Sequence, residues 1–177
     1  MLPNPLHPAV VHFPVVLVVL LPLFALAALW MIRRGTAPRL AWALPLTVAA
    51  ALSASAWFAV ETGEQQEDRV EAVVSESAMH THEEAAERFL ALSGILLLVA
   101  AAGMAAGNVG RAGRIVSTVG AFGLVAAGTQ VGHSGGELVY KHGAASAYTQ
   151  DGSGSTPSDR PQRQESEDEE TAIRTAR

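Results

Sequence analysis

The chain has 177 residues, of which 49% are hydrophobic and only 16% charged, whereas an ordinary soluble domain carries about 25% charged residues. It contains no cysteine, which excludes disulfides, thiolate metal sites and covalent c-type haem attachment. A formal net charge of −5 offers no electrostatic basis for nucleic-acid binding.

Four apolar runs organise the rest: Ala9 to Ile32, Leu40 to Val60, Phe89 to Gly107, and Ile115 to about Gly132. Each approaches the ~20 residues a helix needs to cross ~30 Å of hydrocarbon. They are apolar all round rather than on one stripe, which marks membrane spans and not the helices of a soluble bundle. His12 is the one ionisable group inside them. The first run has no basic residue before it, the first being Arg33, and exceeds a signal-peptide core in length, so it reads as a retained helix. Pro8 suits a first helical turn. Pro14 and Pro22 deny the carbonyls of Val10 and Val18 their usual partners, which predicts a kinked helix end around His12.

The first loop, RRGTAPR, carries Arg33, Arg34 and Arg39; the third, NVGRAGR, carries Arg111 and Arg114. Basic short loops stay cytoplasmic, so both chain ends and the long second loop are expected outside. Trp30 and Trp42 flank the first loop and Trp57 sits near the outer end of the second run, either as interfacial rings or as packing residues. The second loop, Thr62 to about Ser77, is acidic and reads as a solvated connector, with a short helix over the outer mouth as the alternative because Val70, Val73 and Val74 fall at helical spacing. The expected architecture is an all-α integral membrane four-helix up-down bundle over residues 1–143. Its helices are expected at about 9–32, 40–60, 80–107 and 115–138, followed by a disordered polar, acidic tail at 144–177.

All six histidines (His7, His12, His80, His82, His133, His142) fall at or beyond the outer helix ends in this topology. At ~1.5 Å per residue from each cytoplasmic end, His12, Glu61 and His133 lie at ~30, ~32 and ~27 Å, in one layer; His7, His82 and His142 lie higher. On the third helix His82 shares its side with Ala85, Ala86 and Phe89, and His80 with Glu83, Glu84 and Glu87, so His82 points inward and His80 toward water. On the fourth, His133, Glu137 and Tyr140 form one stripe. Gly128, Gly132 and Gly136 form a flat stripe beside it, fit for a neighbouring helix or a flat macrocycle.

Two stretches carry a resemblance. LHPAVVHFP at Leu6 to Pro14 and GHSGGELVYKHG at Gly132 to Gly143 resemble the bacterial membrane-protein family called domain of unknown function 2231, over Leu6 to Gly143. That resemblance implies four membrane helices in a bacterial inner membrane and relatives sometimes joined to cytochrome c or iron-sulfur modules, a hint of electron transfer. Its motif residues fall on His7, His12, His133, His142, Tyr140 and the glycines around them, including Gly132 and Gly136; His82 fits a looser position.

Three functional readings follow. In the first, His12 and His133 ligate a b-type haem, with His82, His142, His7, Gly132, Gly136 and Tyr140 lining the site. In the second, His12 and His133 with Glu61 or Glu137 hold Cu, Zn or Fe. In the third, the protein binds no cofactor and is an accessory subunit of a larger membrane complex. The expected partners are the lipid bilayer and protein subunits or redox partners, and no nucleic acid. Ion translocation is disfavoured because the inner half of the helices has almost no polar residue. GHSGG echoes a hydrolase nucleophile elbow around Ser134, but that motif needs a strand-to-helix turn, so no enzymatic constellation is recognised.

Overall fold

A computed structural model describes residues 6–149 of the chain. The helices are α1 (His7–Val10), α2 (His12–Arg33), α3 (Pro38–Glu64), α4 (Glu67–Glu71), α5 (Glu76–Ala102), α6 (Gly107–Tyr140) and α7 (Ser146–Thr149). Among the described residues there is no strand. One compact unit ends at Ala147. The polar tail expected from 144 falls outside the described residues from 150 onward, whereas Ala144 and Ala147 are buried, so the packed unit runs past the expected boundary at Gly143.

α2 packs on α3 and on α6, and α5 packs on the same two helices. The bundle is therefore a ring in the order α2, α3, α5, α6, with α2 diagonal to α5 and α3 diagonal to α6. Leu21, Leu52, Leu96 and Leu124, one from each helix, are buried at its centre. The outside is also apolar: Val19 and Leu23 on α2, Phe58 on α3, Leu98 on α5 and Phe122 on α6 are all exposed. In water each such side chain would forgo roughly 1.5–3 kcal/mol of burial, and a hydrocarbon surround removes that cost. Among the described residues four helices are long and apolar enough to cross a membrane.

The helix ends depart from the apolar runs. α3 starts at Pro38, whose missing N–H costs nothing in a first turn, and it continues to Glu64, past Val60. α5 stops at Ala102 and not at Gly107, and α6 begins at Gly107 and not at residue 115. Gly107 takes φ +65°, a conformation open to glycine, and this lets the chain turn within residues 103–106. NVGRAGR is thus the opening of α6 and no loop. Hydropathy locates where apolar side chains end, while the helix ladder continues until the backbone is forced to turn.

Two side chains at this end have structural roles. Trp42, expected at an interface or in packing, is 1% exposed and donates its Nε1–H to the Ala100 carbonyl at 2.9 Å; Trp30 and Trp57 do face outward. Arg114, read as a loop charge, is buried and donates to the Gly103 carbonyl. Arg39 Nε donates to Met104 O at 3.1 Å. Both arginines hold the turn between α5 and α6.

At the opposite end α1 and α2 are parted only by Val11, which keeps helical dihedrals and bonds to His7 O; the irregularity the prolines predicted beside His12 is thus slight and the helical course runs on to His7. The second loop, read as a solvated connector, contains instead the short helix α4, and Val70 and Val74 are buried and anchor it.

Candidate functional site

The six histidines separate cleanly by burial. His7 and His82 are half-buried, while His12, His80, His133 and His142 are exposed. The face rule on α5 places its two histidines as expected. His80 lies outside, 3.7 Å from Glu84, and His82 turns toward α6.

His7 enters from α1 and rests on the end of α3. Its Nδ1 is 2.9 Å from the Ala59 carbonyl oxygen and 3.4 Å from Thr62 Oγ1. A carbonyl only accepts, so Nδ1 carries the proton. Thr62 is free to receive it as well, because its own hydroxyl donates to Phe58 O at 2.8 Å and Ala59 O at 3.1 Å. The ring lies flat against Gly63, where an added Cβ would stand 3.2 Å from His7 Cε1.

His82 repeats this arrangement on α6. Its Nδ1 lies 2.9 Å from Ser134 Oγ, and that hydroxyl donates to Val131 O at 3.0 Å. The Val131 carbonyl also bonds the ring, and since a carbonyl only accepts, the ring nitrogen at this hydroxyl–carbonyl pair again carries the hydrogen. The ring rests on Gly135, where a Cβ would stand 3.0 Å from Cε1. Both imidazoles therefore turn Nδ1–H into the protein and keep an Nε2 lone pair. Such inward commitment of one ring nitrogen is how proteins orient histidines that ligate through the other. The two rings are near enough to interact electrostatically when protonated.

The acidic residues surround this mouth without joining it. Glu83 stands in the field of Glu67 and Glu71 of α4, of His80 and of Glu87. Among the described residues no group of three or more His, Cys, Asp or Glu side chains is poised around one metal position.

The layer of His12, Glu61 and His133 is not assembled into one pocket. All three are exposed. His133 Nε2 faces Glu137 Oε1 at 3.5 Å along its own helix, and Glu137 also binds Lys141. Tyr140 is 90% exposed and His142 is exposed beside it. Gly132 and Gly136 face open space; close approach to a neighbour occurs at Gly135 and at Gly128, which meets Phe89 and Val18. The physical reason is angular: successive helix residues are about 100° apart, so His133 cannot share the inward face of Ser134. The residues that sequence reasoning missed are Ala59, Thr62, Gly63, Val131 and Ser134. The available signal was spacing, since AVETG and VGHSG place a hydroxyl and a glycine side by side at the same end of two helices.

Residues 3–147 match the family described as "Predicted membrane protein (DUF2231)". No curated protein and no solved structure matches the chain. A match across the whole bundle, with both histidine seats inside it, makes the chain a member of this family of membrane proteins, domain of unknown function 2231.

Proposed function

We propose that this membrane protein binds a single transition-metal ion at the histidine end of its bundle, through Nε2 of His7 and of His82. The observation that carries the reading is the shared tautomer. Each half-buried ring gives its Nδ1–H to the protein and retains one outward lone pair, the preparation a metal ligand requires. Imidazole donors suit Zn, Cu, Fe and Ni. Two protein donors leave positions for water or a transferring ligand, which suits exchange more than permanent structural holding. The acids on α4 and α5 would raise the local cation concentration. Copper or iron in such a site would serve electron transfer; zinc would not.

The bare ion is favoured over haem b by space. The rings lie against Gly63 and Gly135 with no slot for a macrocycle between ring and helix. A cavity described within the bundle, of about 10 Å³, is lined by Leu21, Trp42 and Leu96 and holds no more than a water. The gathering of Arg33, Arg34, Arg39, Arg111 and Arg114 at the other end supports an orientation with that end in the cytoplasm and the site on the outer face of a bacterial inner membrane.

The test is elemental analysis and an absorption spectrum of protein purified in detergent without a histidine tag. Stoichiometric metal, lost in both His7→Ala and His82→Ala and kept in His133→Ala, is the expected result. A reducible band near the blue edge of the visible would return the haem reading. Neither metal nor band would leave an accessory subunit of a larger membrane complex.

A further inference from the structure

The buried faces of the two halves can be superposed. Shifting α2 onto α5 by 75 residues lays Pro14, Val18, Leu21 and Ala25 over Phe89, Ser93, Leu96 and Ala100, all buried. Shifting α3 onto α6 by 72 residues lays Ala41, Pro45, Ala49 and Leu52 over Gly113, Ser117, Ala121 and Leu124, again all buried. Burial alone proves little, since any two helices with one inward face can be slid into such a register. What the register does not force is the chemistry it brings along.

The 75-residue shift carries His7 onto His82. The 72-residue shift carries Ala59, Thr62 and Gly63 onto Val131, Ser134 and Gly135. In both triplets the hydroxyl donates back to the first residue's carbonyl, at 3.1 and 3.0 Å. In both the imidazole Nδ1 meets that hydroxyl–carbonyl pair, and in both the ring lies on the glycine. The three residues between the two shifts, a little less than a helical turn, are absorbed in helix length at the arginine end. The connections 34–37 and 103–106 are equally long, while α5 stops six residues short of where the shift carries the end of α2 and α6 begins three residues before the shifted start of α3.

The packing obeys the same operation. Exchanging α2 with α5 and α3 with α6 turns each contact of the ring into another that is present: α2 on α3 becomes α5 on α6, and α3 on α5 becomes α6 on α2. Both hairpins begin at the histidine end, so the relation is a two-fold axis along the bundle. His7 and His82 come from diagonal corners and stand on either side of it.

We infer that the site is built twice: the chain is two copies of one helical hairpin, whose His7 and His82 seats are equivalent and face a single metal ion on the two-fold axis between them. The ion rests on the proposed function; the equivalence of the seats does not. Two separate ions, each held by one imidazole, would have one protein donor apiece and be held weakly.

Nitrogen NMR of ¹⁵N-histidine-labelled protein in detergent, first free of metal and then titrated with Zn²⁺, tests both parts. Signals are assigned by their loss in His7→Gln and His82→Gln. Before metal, both rings should show the Nδ1–H form with unprotonated Nε2. During titration both Nε2 signals should move together and saturate at one ion per chain, and either single variant should weaken binding by a similar factor, more than about 100-fold. One ring protonated on Nε2 overturns the equivalence, whether or not metal binds. Two ions per chain, or a shift confined to one ring, overturns the shared axial position. No shift in either ring removes the ion and the proposed function with it, while the metal-free spectrum still decides the duplication.

Discussion

Replacing Ser134 by Ala removes the oxygen that accepts the His82 Nδ1 proton at 2.9 Å and leaves the imidazole pointing at a methyl group. Interhelical hydrogen bonds in membrane proteins are worth about 0.6 kcal/mol on average and up to about 1.7. The Val131 carbonyl also bonds this ring, so the N–H keeps one partner and the cost stays within that range. Ser134→Ala should therefore destabilise the bundle by about 1 kcal/mol, and by close to nothing once His82 is already Ala. Thr62 supplies an internal contrast. Without its hydroxyl, at 3.4 Å from His7 Nδ1, that nitrogen still has the Ala59 carbonyl at 2.9 Å. The Thr62–His7 coupling should accordingly be no more than about 0.5 kcal/mol. The assay is reversible denaturation in mixed detergent and dodecyl sulfate micelles followed by circular dichroism, on both single variants, the double variant and the parent of each cycle. A Ser134–His82 coupling indistinguishable from zero, or a Thr62–His7 coupling as large, would refute the assigned proton positions, because each result needs a different acceptor for one of the rings.

Gly135→Ala puts a Cβ 3.0 Å from His82 Cε1 and 3.5 Å from Nδ1; a side-chain ring can give by a few tenths of an ångström, so stability should fall by only about 1 kcal/mol while metal affinity, measured by calorimetric titration, falls more steeply. Gly103→Ala meets a firmer neighbourhood, the Trp42 indole and the Ala100 carbonyl, the latter at 2.8 Å, and should cost up to about 3 kcal/mol in the same micelle denaturation, with no separate effect on the distant histidines. Acidification should release the ion with uptake of two protons per metal, one for each imidazole, since only the unprotonated ring ligates; potentiometry during metal release that finds a single proton would mean that one histidine is not a ligand.

The membrane class and the four spans were legible because apolar side chains on every face of a helix admit few other solvents. Both seated histidines were legible as candidates as well. Their pairing was not, because counting residues from the cytoplasmic ends yields depth, one coordinate of three. His12 and His133 share a counted depth and are nevertheless both exposed, since the angle around each helix decides what a side chain faces. The face rule placed His82 inward on α5 and would have set His133 apart from Ser134 on α6, one residue on and about 100° round. His7 was harder to place. Its helix continues through Val11 with helical dihedrals, but no partner face follows from the count, and only the fold shows it seated on α3. Arg114 misled for a related reason: a charge near a membrane boundary is read by its depth, whereas the turn between α5 and α6 draws it into its packing.

The two ends of the bundle then permit one more step. At the arginine end equivalent positions carry different chemistry. Trp42 donates across the ring to Ala100 O of the other hairpin, whereas Arg114, which the 72-residue shift lays on it, donates within its own hairpin to Gly103 O. Packing thus does not require the two copies to stay alike. Helix contact alone would ask of residues 63 and 135 only that they be small, and of residues 62 and 134 only that they cap their own backbone. Neither demand calls for an imidazole at both 7 and 82, turned to leave the same nitrogen free. Sameness at that end needs a cause acting on both halves at once, and a ligand on the axis, touching both Nε2 atoms, is a cause of that kind: it binds well only if the two seats present one nitrogen at one height. The loss on removing either histidine should then be nearly as great as the loss on removing both.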